Sequence, residues 1–113
     1  MAKYMVLYNS DASASELMAN ATPEEMKASM GEWIEWANEA KQKIKFDFGL
    51  PLQAVNKVTP IEVTKSENSA SGYSTLEGEK DTILELLKTH PHLKRPGASI
   101  DVLEMLSMPG IES

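Results

Sequence analysis

Cysteine is absent from this chain, and other residues that usually carry chemistry are scarce. The absence of cysteine excludes disulfide bridges, thiolate zinc sites and cysteine nucleophiles. There are two histidines, and the chain has neither a glycine-rich phosphate loop nor a serine in a nucleophile-elbow context. No single motif therefore identifies the chemistry, which has to be sought in a few histidine, carboxylate and aromatic positions.

Long apolar runs and basic charge are also lacking. No segment is long enough to predict a membrane span, and the short apolar run before Asn9 predicts a strand rather than a secretory signal. The 11 basic residues against 17 acidic ones give a net charge of -6, which disfavours binding to nucleic-acid phosphates. We expect a cytoplasmic protein that binds neither nucleic acid nor membranes.

The length of 113 residues favours one domain, 1–113, with an apolar core of its own. Alternating apolar residues predict strands, and apolar residues at helical spacing predict two helices. In chain order the predicted elements are strand 3–9, helix 23–44, strand 45–52, a strand-like segment 55–65 interrupted by Pro60, strand 72–77, helix 78–90 and strand 99–106. Residues 10–22 are predicted to form a long surface loop and residues 107–113 a loose tail.

This order of elements is βαββαβ with an extra bend in the middle. It predicts an α+β, ferredoxin-like fold in which two helices cover one face of an antiparallel sheet. The first strand is apolar on both faces, with Tyr4, Val6 and Tyr8 on one side and Met5 and Leu7 on the other. Because two helices can shield only one face, we expect a homodimer in which a second copy covers the other sheet face.

Several segments in this order resemble the YCII-related proteins, and most of all the branch called DGPF-domain proteins. The segments are KYMVLY, EEMKASMGEWIEW, GLPL, SGYSTLEGEKDTILELLKTHPHL and IDVLEM. The resemblance runs from Lys3 to Met105 and implies a dimeric α/β barrel of ferredoxin-like subunits. Some relatives are lyase-like or isomerase-like enzymes that act on small aromatic-derived molecules through a His–Asp pair. Their histidine lies on the first helix, where residues 23–44 of this chain have none, so that pair is not carried over.

The two histidines, His90 and His92, flank Pro91 at the predicted end of the second helix. Three interpretations stay open. They form the helix end, where the pre-proline position stops the helix and the dipole favours histidine; or His90 is a general base; or the two imidazoles hold a metal. No acidic ligand is spaced near them, so we predict no metal site and no cofactor.

Asp101 is predicted to share a face of the last strand with Leu103 and Met105. A carboxylate on a sheet face between two subunits would be partly desolvated, which suits a general acid or base. The alternative is that Asp101 is hydrated or paired with a lysine at the end of its strand. Asp101 and His90 are the candidate catalytic residues.

An aromatic set completes the candidate residues. Trp36 is predicted to lie off the apolar stripe of the first helix, which is formed by Met26, Met30, Trp33, Ala37, Ala40 and Ile44. Trp36, Phe48 and Tyr73 are therefore candidates to line a small-molecule cleft, and the alternative is that they fill the dimer interface.

Two functions follow from these observations. The first is a small-molecule-binding dimer, for which the resemblance implies lyase or isomerase chemistry on a small aromatic-derived compound. The second is a non-catalytic interaction or regulatory module. The sequence leaves open whether the protein is an enzyme.

Overall fold

The computed structural model describes residues 2–11, 16 and 19–110, and it shows an α+β chain. The strands are β1 (Lys3–Asn9), β2 (Lys45–Asp47), β3 (Asn56–Val58), β4 (Val63–Lys65), β5 (Ala70–Glu77) and β6 (Ser99–Met105). The helices with described bounds are α1 (Pro23–Ala40), α2 (Lys80–Leu87) and a short 3-10 helix (Pro91–Lys94). None of the described helices is long and apolar enough to cross a membrane.

The main sheet has four strands in the order β2-β5-β1-β6, and every neighbouring pair is antiparallel. The central strand β1 matches the predicted strand 3–9, and its apolar residues alternate between the two faces as expected. The register pairs Leu7 with Tyr73 of β5 on one side and with Asp101 of β6 on the other. Side chains of these three residues therefore lie on the same face of the sheet.

Helix α1 begins at a capping box. The Thr22 hydroxyl accepts a hydrogen bond from the Glu25 backbone N–H, and the Glu25 carboxylate accepts one from the Thr22 N–H. Pro23 occupies the first turn, where its missing N–H costs nothing. The helix ends at Ala40 rather than at the predicted residue 44, because shorter-range bonds such as Lys43 N–H to Ala40 O tighten the chain into turns.

The core lies between the sheet and the two helices. It consists of Tyr4, Val6, Tyr8, Trp36, Ala37, Ala40, Ile44, Phe46, Leu76, Ile83 and Leu87. The prediction that Trp36 lies off the apolar stripe of the first helix is wrong, since its ring is buried in the core and its indole N–H donates to Leu86 O at 3.1 Å. Trp36 lies three residues after Trp33 and four before Ala40, so it falls within the same inward face. Met26 and Met30, which were expected on this face, are exposed.

The predicted segment 55–65 folds back on itself as a separate two-stranded hairpin of β3 and β4. Pro60 lies in its turn, where the Thr59 hydroxyl accepts hydrogen bonds from the N–H groups of Ile61 and Glu62. Pro60 is predicted to confine this segment to an edge position or to break it, and the structure shows the break, as a hairpin turn.

Part of the predicted loop 10–22 and of the predicted tail 107–113 lies outside the described residues. These parts are residues 12–15, 17–18 and 111–113. Among the described tail residues, Met108 is exposed.

Candidate functional site

The side of the main sheet that faces away from the helices is called here the open face. Its apolar centre consists of Met5, Leu7, Tyr73, Leu103 and Met105, which the strand registers place in adjacent rows. Met5 and Leu7 are half-buried by their neighbours, while Leu103 and Met105 are 47% and 46% exposed. The prediction that Asp101 shares a face with Leu103 and Met105 is confirmed by this register.

One end of the open face carries a polar cluster around Asp101. The Asn9 side-chain amide donates to Asp101 Oδ2 at 2.8 Å, and Ser69 Oγ donates to Asn9 Oδ1 at 3.2 Å. The Asn9 backbone carbonyl accepts from His92 Nε2 at 2.8 Å. Asn9 therefore orients the exposed carboxylate of Asp101 and is itself held by two further hydrogen bonds.

Tyr73 lies on the same end of the open face. Tyr73 and Asp101 flank Leu7 on opposite sides, so their Cα atoms are separated by two strand spacings, about 10 Å. Gly49, with a φ of 68°, packs so closely on Tyr73 that a Cβ there would lie 2.9 Å from the ring and would meet the Tyr73 carbonyl. Only glycine fits this position, and it fixes the tyrosine beside the cluster.

His90 lies on the opposite side of the sheet, in the core. It is 2% exposed, and its ring centroid is 4.4 Å from the rings of Trp33 and Trp36 and 4.9 Å from Tyr8. Its Nδ1 accepts a hydrogen bond from the His92 backbone N–H at 3.0 Å, which caps the 3-10 helix. The neutral ring therefore carries its proton on Nε2, which is buried and has no hydrogen-bond partner among the described residues.

Burial dominates the protonation of both histidines. Desolvation, and then the nearby charge of His92, lower the pKa of His90 from 6.5 to about 3. Burial also lowers the pKa of His92, although its hydrogen bonds to the backbone of Asn9 and Ser99 oppose this effect. Neither imidazole presents a free lone pair to solvent, so the geometry assigns both to the fold. This agrees with the helix-end interpretation, although α2 itself ends at Leu87 and His90 caps the following 3-10 helix.

Tyr8 is a further buried titratable group of this core. Its hydroxyl donates to Ser74 Oγ at 2.9 Å, and Ser74 Oγ donates to Phe48 O at 2.7 Å. Burial raises the pKa of Tyr8 to about 12, although its hydrogen bond to Ser74 opposes the shift. Tyr8 therefore stays neutral and connects β1, β5 and the segment after β2.

The predicted site residues do not converge on one pocket. Asp101 lies on the open face and His90 in the core, so the structure does not bring the two candidate catalytic residues together. Trp36 and Phe48 both contact Phe46, with centroids 5.4 and 5.1 Å apart, whereas Tyr73 is on the open face. Lys41 Nζ lies 5.9 Å from the Phe48 ring. Only Asp101 and Tyr73 share a surface, and the ligand-binding and catalytic roles of all five residues stay predictions.

Two shallow surface depressions lie at the Lys45–Glu77 end of the main sheet. The larger, of about 450 Å³, is formed by residues 41–45 with Glu77, and the other, of about 330 Å³, lies among Lys3, Lys45, Asp47, Thr75, Leu76, Glu77 and Met105. Both lie away from the Asn9–Asp101 cluster. Across residues 2–11, 16 and 19–110, no three histidine or carboxylate side chains are placed to hold a metal ion.

No family model matches this chain, and no curated protein matches it. The similarity to YCII-related proteins therefore stays a prediction that rests on the quoted segments.

Asn9, Ser69 and Ser74 were not predicted as site residues, and Tyr8 was predicted only as part of one face of the first strand. A partial signal exists for Ser74, because it shares strand parity with the buried Leu76 and a buried hydroxyl requires a partner. For Asn9, the only feature of the sequence that points to a role in the site is its position at the end of an apolar strand. Its pairing with Asp101 spans 92 residues and requires the register between β1 and β6.

Proposed function

We propose that the protein is a homodimer of ferredoxin-like subunits, assembled through the open faces of two sheets, and that it binds a small molecule at the Asn9–Asp101 end of this interface. The strand order supports the fold. When the β3–β4 hairpin is set aside, the remaining elements follow βαββαβ, with the first and third of the four strands in the middle of the sheet.

The exposed apolar centre of the open face is the observation that carries the proposal. An antiparallel sheet can leave one face to water, but that face is then polar. An uncovered apolar patch on a folded chain marks an interaction surface. Charged side chains border the centre, with Lys3, Lys45 and Glu77 at one end and Asp101 at the other. An apolar centre with a polar rim is the usual composition of a protein interface.

Replacement of Leu103 by aspartate is expected to convert the dimer to a folded monomer. The substitution places a charge in the middle of the proposed interface, whereas a single copy tolerates it because the position is 47% exposed. Ile34 on α1 is a matched control, since it is 45% exposed and lies away from the sheet. Sedimentation velocity at micromolar concentration should report dimers for the wild type and I34D and monomers for L103D, with unchanged far-UV circular dichroism. A monomeric wild type would contradict the proposal.

The Asn9–Asp101 end would provide the ligand contacts. Asp101 offers a carboxylate held by Asn9, Tyr73 offers a ring and a hydroxyl, and Leu7 between them offers apolar surface. This set suits a small aromatic compound with a hydrogen-bond donor, the class that the resemblance implies. Any lyase or isomerase step would then use Asp101 as the proton-transfer group, because both histidines are buried in the core.

Thermal-shift measurements with a panel of small hydroxyaromatic compounds test this site. We expect at least one compound to stabilise the wild type, and the shift to be lost in D101N and reduced in Y73F, because D101N replaces a charged acceptor oxygen by an amide donor and Y73F removes the hydroxyl. Asp47→Asn is the matched control, since Asp47 lies on the same face but on β2, at the edge of the sheet opposite to the β6 edge that carries Asp101. Equal shifts in D101N and the wild type, or no shift with any compound, would refute ligand binding at this end.

A non-catalytic interaction module is the second candidate function. The observation that favours it is an exposed apolar stripe on α1, formed by Met26, Met30 and Ile34 at intervals of four residues. This stripe lies on the helix side of the sheet, so a partner bound there would leave the open face free for the second copy.

A further inference from the structure

The β3–β4 hairpin, with the residues at its base, forms an arm over residues 55–66. All six strand residues of the arm are exposed on both faces. Its apolar side chains are among the most exposed in the described chain, with Ile61 at 94%, Val58 at 74% and Val63 at 64%. Val58 and Val63 pair directly across the two strands, next to the turn that holds Ile61, so these three residues form an apolar tip, whereas Asn56 and Lys65 on the same face make the base of the arm polar.

The arm continues the ribbon of β2 and β5 beyond the end of the main sheet. Between the two parts, Pro51 bridges to Gly72 and the Leu52 N–H donates to Ser71 O at 2.9 Å. Six residues from 55 to the turn reach about 20 Å past these contacts. The chain accordingly has a radius of gyration of 15.7 Å, whereas a compact chain of this length has about 13 Å.

An arm of this kind needs a surface to pack on. A two-stranded hairpin without a third layer is marginally stable in water, because neither face is shielded. Exposed valine and isoleucine on one face of an edge ribbon also favour unwanted pairing between chains unless a partner covers them. The opposite face carries Lys57 and Thr64 and is polar, so the apolar surface of the arm is confined to its tip.

The open face is small for a dimer interface, and this indicates that the second copy of the chain also covers the arm. The four strands have three to eight residues, which gives the sheet a flat footprint of roughly 450 Å². Stable protein interfaces bury about 800 Å² on each partner. The open face of one copy is therefore small for a stable interface, and the arm adds exposed apolar surface at the end of the same β2–β5 ribbon.

We infer that the arm packs its Val58–Ile61–Val63 side against the second copy of the chain and supplies the missing part of the dimer interface. This inference rests on the proposed dimer. Each copy contributes one arm, so a twofold assembly contains two such contacts.

Replacement of Val58, Ile61 and Val63 by threonine tests the arm. Threonine keeps strand propensity and removes apolar surface, so the hairpin itself is preserved. The dimer dissociation constant should rise at least tenfold in the triple variant, measured by sedimentation equilibrium. The control is the double variant Lys57→Gln, Thr64→Ser on the polar side of the arm, which should dissociate like the wild type.

A crosslinking experiment locates the contact independently. Because the chain has no cysteine, Ile61→Cys accepts a single benzophenone maleimide. Irradiation should give a covalent dimer, whereas the same label at Lys88→Cys, an exposed position directly after α2, should not. The two proposals fail differently. A monomeric wild type overturns both, and a dimeric wild type with unchanged affinity in the threonine variant and no crosslink from residue 61 overturns only the arm contact.

Discussion

Replacement of His90 by alanine is expected to lower the free energy of unfolding by about 3 kcal/mol. Two losses add up in this variant. The imidazole fills the space between Trp33, Trp36 and Tyr8, and its removal leaves a cavity that these rings cannot close. The backbone N–H of His92 also loses its acceptor inside the fold. The loss of the unpaired Nε2 offsets part of this cost.

Two conservative variants separate these losses. His90→Asn keeps a side-chain acceptor for the His92 N–H but fills less space, and His90→Leu fills the space but offers no acceptor. We expect each to be destabilised less than H90A in urea unfolding at a fixed protein concentration. Equal stability of H90A and the wild type would show that His90 is not packed as described, and its assignment to the fold would be wrong.

Acidification from pH 7 to pH 5 is expected to destabilise the protein by about 2 kcal/mol through His90 alone. In the folded chain the pKa of His90 is lowered to about 3, whereas in the unfolded chain it has its ordinary value of 6.5. Between these values the unfolded chain binds a proton that the folded chain does not. The stability is therefore fully present above about pH 6.5 and is lost as the pH falls toward 3.

His92 acts in the same direction, since burial also lowers its pKa, and the positive charge of Arg95 adds to this effect. The total loss between pH 7 and pH 5 should therefore exceed that from His90 alone. Urea unfolding curves at pH 7, 6 and 5 measure it above the range in which most carboxylates titrate.

His90→Leu provides the control for the pH experiment. This variant cannot take up the proton, so its stability should fall by about 2 kcal/mol less than that of the wild type over the same interval. A wild type whose unfolding free energy is constant from pH 7 to pH 5 would contradict the burial of neutral histidines.

Local rules in the sequence predicted the elements that depend on neighbouring residues. The capping box of Thr22 and Glu25 and the alternation of β1 involve residues at most four positions apart, and both appear in the structure as expected. The end of α2 was predicted less well. The pre-proline rule allowed the helix to reach His90, but it ends at Leu87 because Thr89 and His90 donate to Leu86 O and Leu87 O in a tighter turn.

The burial of Trp36 was not predicted from the spacing of apolar residues along α1. Trp36 lies off the line of residues spaced three and four apart on α1, and the prediction therefore placed it outside that apolar stripe. A helix that packs on a sheet buries a broader part of its surface than this line, and Trp36 falls within that part. The arrangement of the candidate site residues could likewise be predicted only in part from local spacing. Asp101 was placed on the correct face from alternation alone, whereas its distance from His90 could not be read from either segment, because each lies on a different layer of the fold.

The sequence by itself determines the types of the elements, the apolar character of both sheet faces and the absence of thiol chemistry. These properties depend only on composition and short-range periodicity. Only the tertiary structure decided which distant side chains meet. The enclosure of His90 by aromatic rings and the Asn9–Asp101 bond join residues more than 50 positions apart. Such contacts depend on strand register and on how helices settle on the sheet, and many sequences with the same periodicity could place them differently.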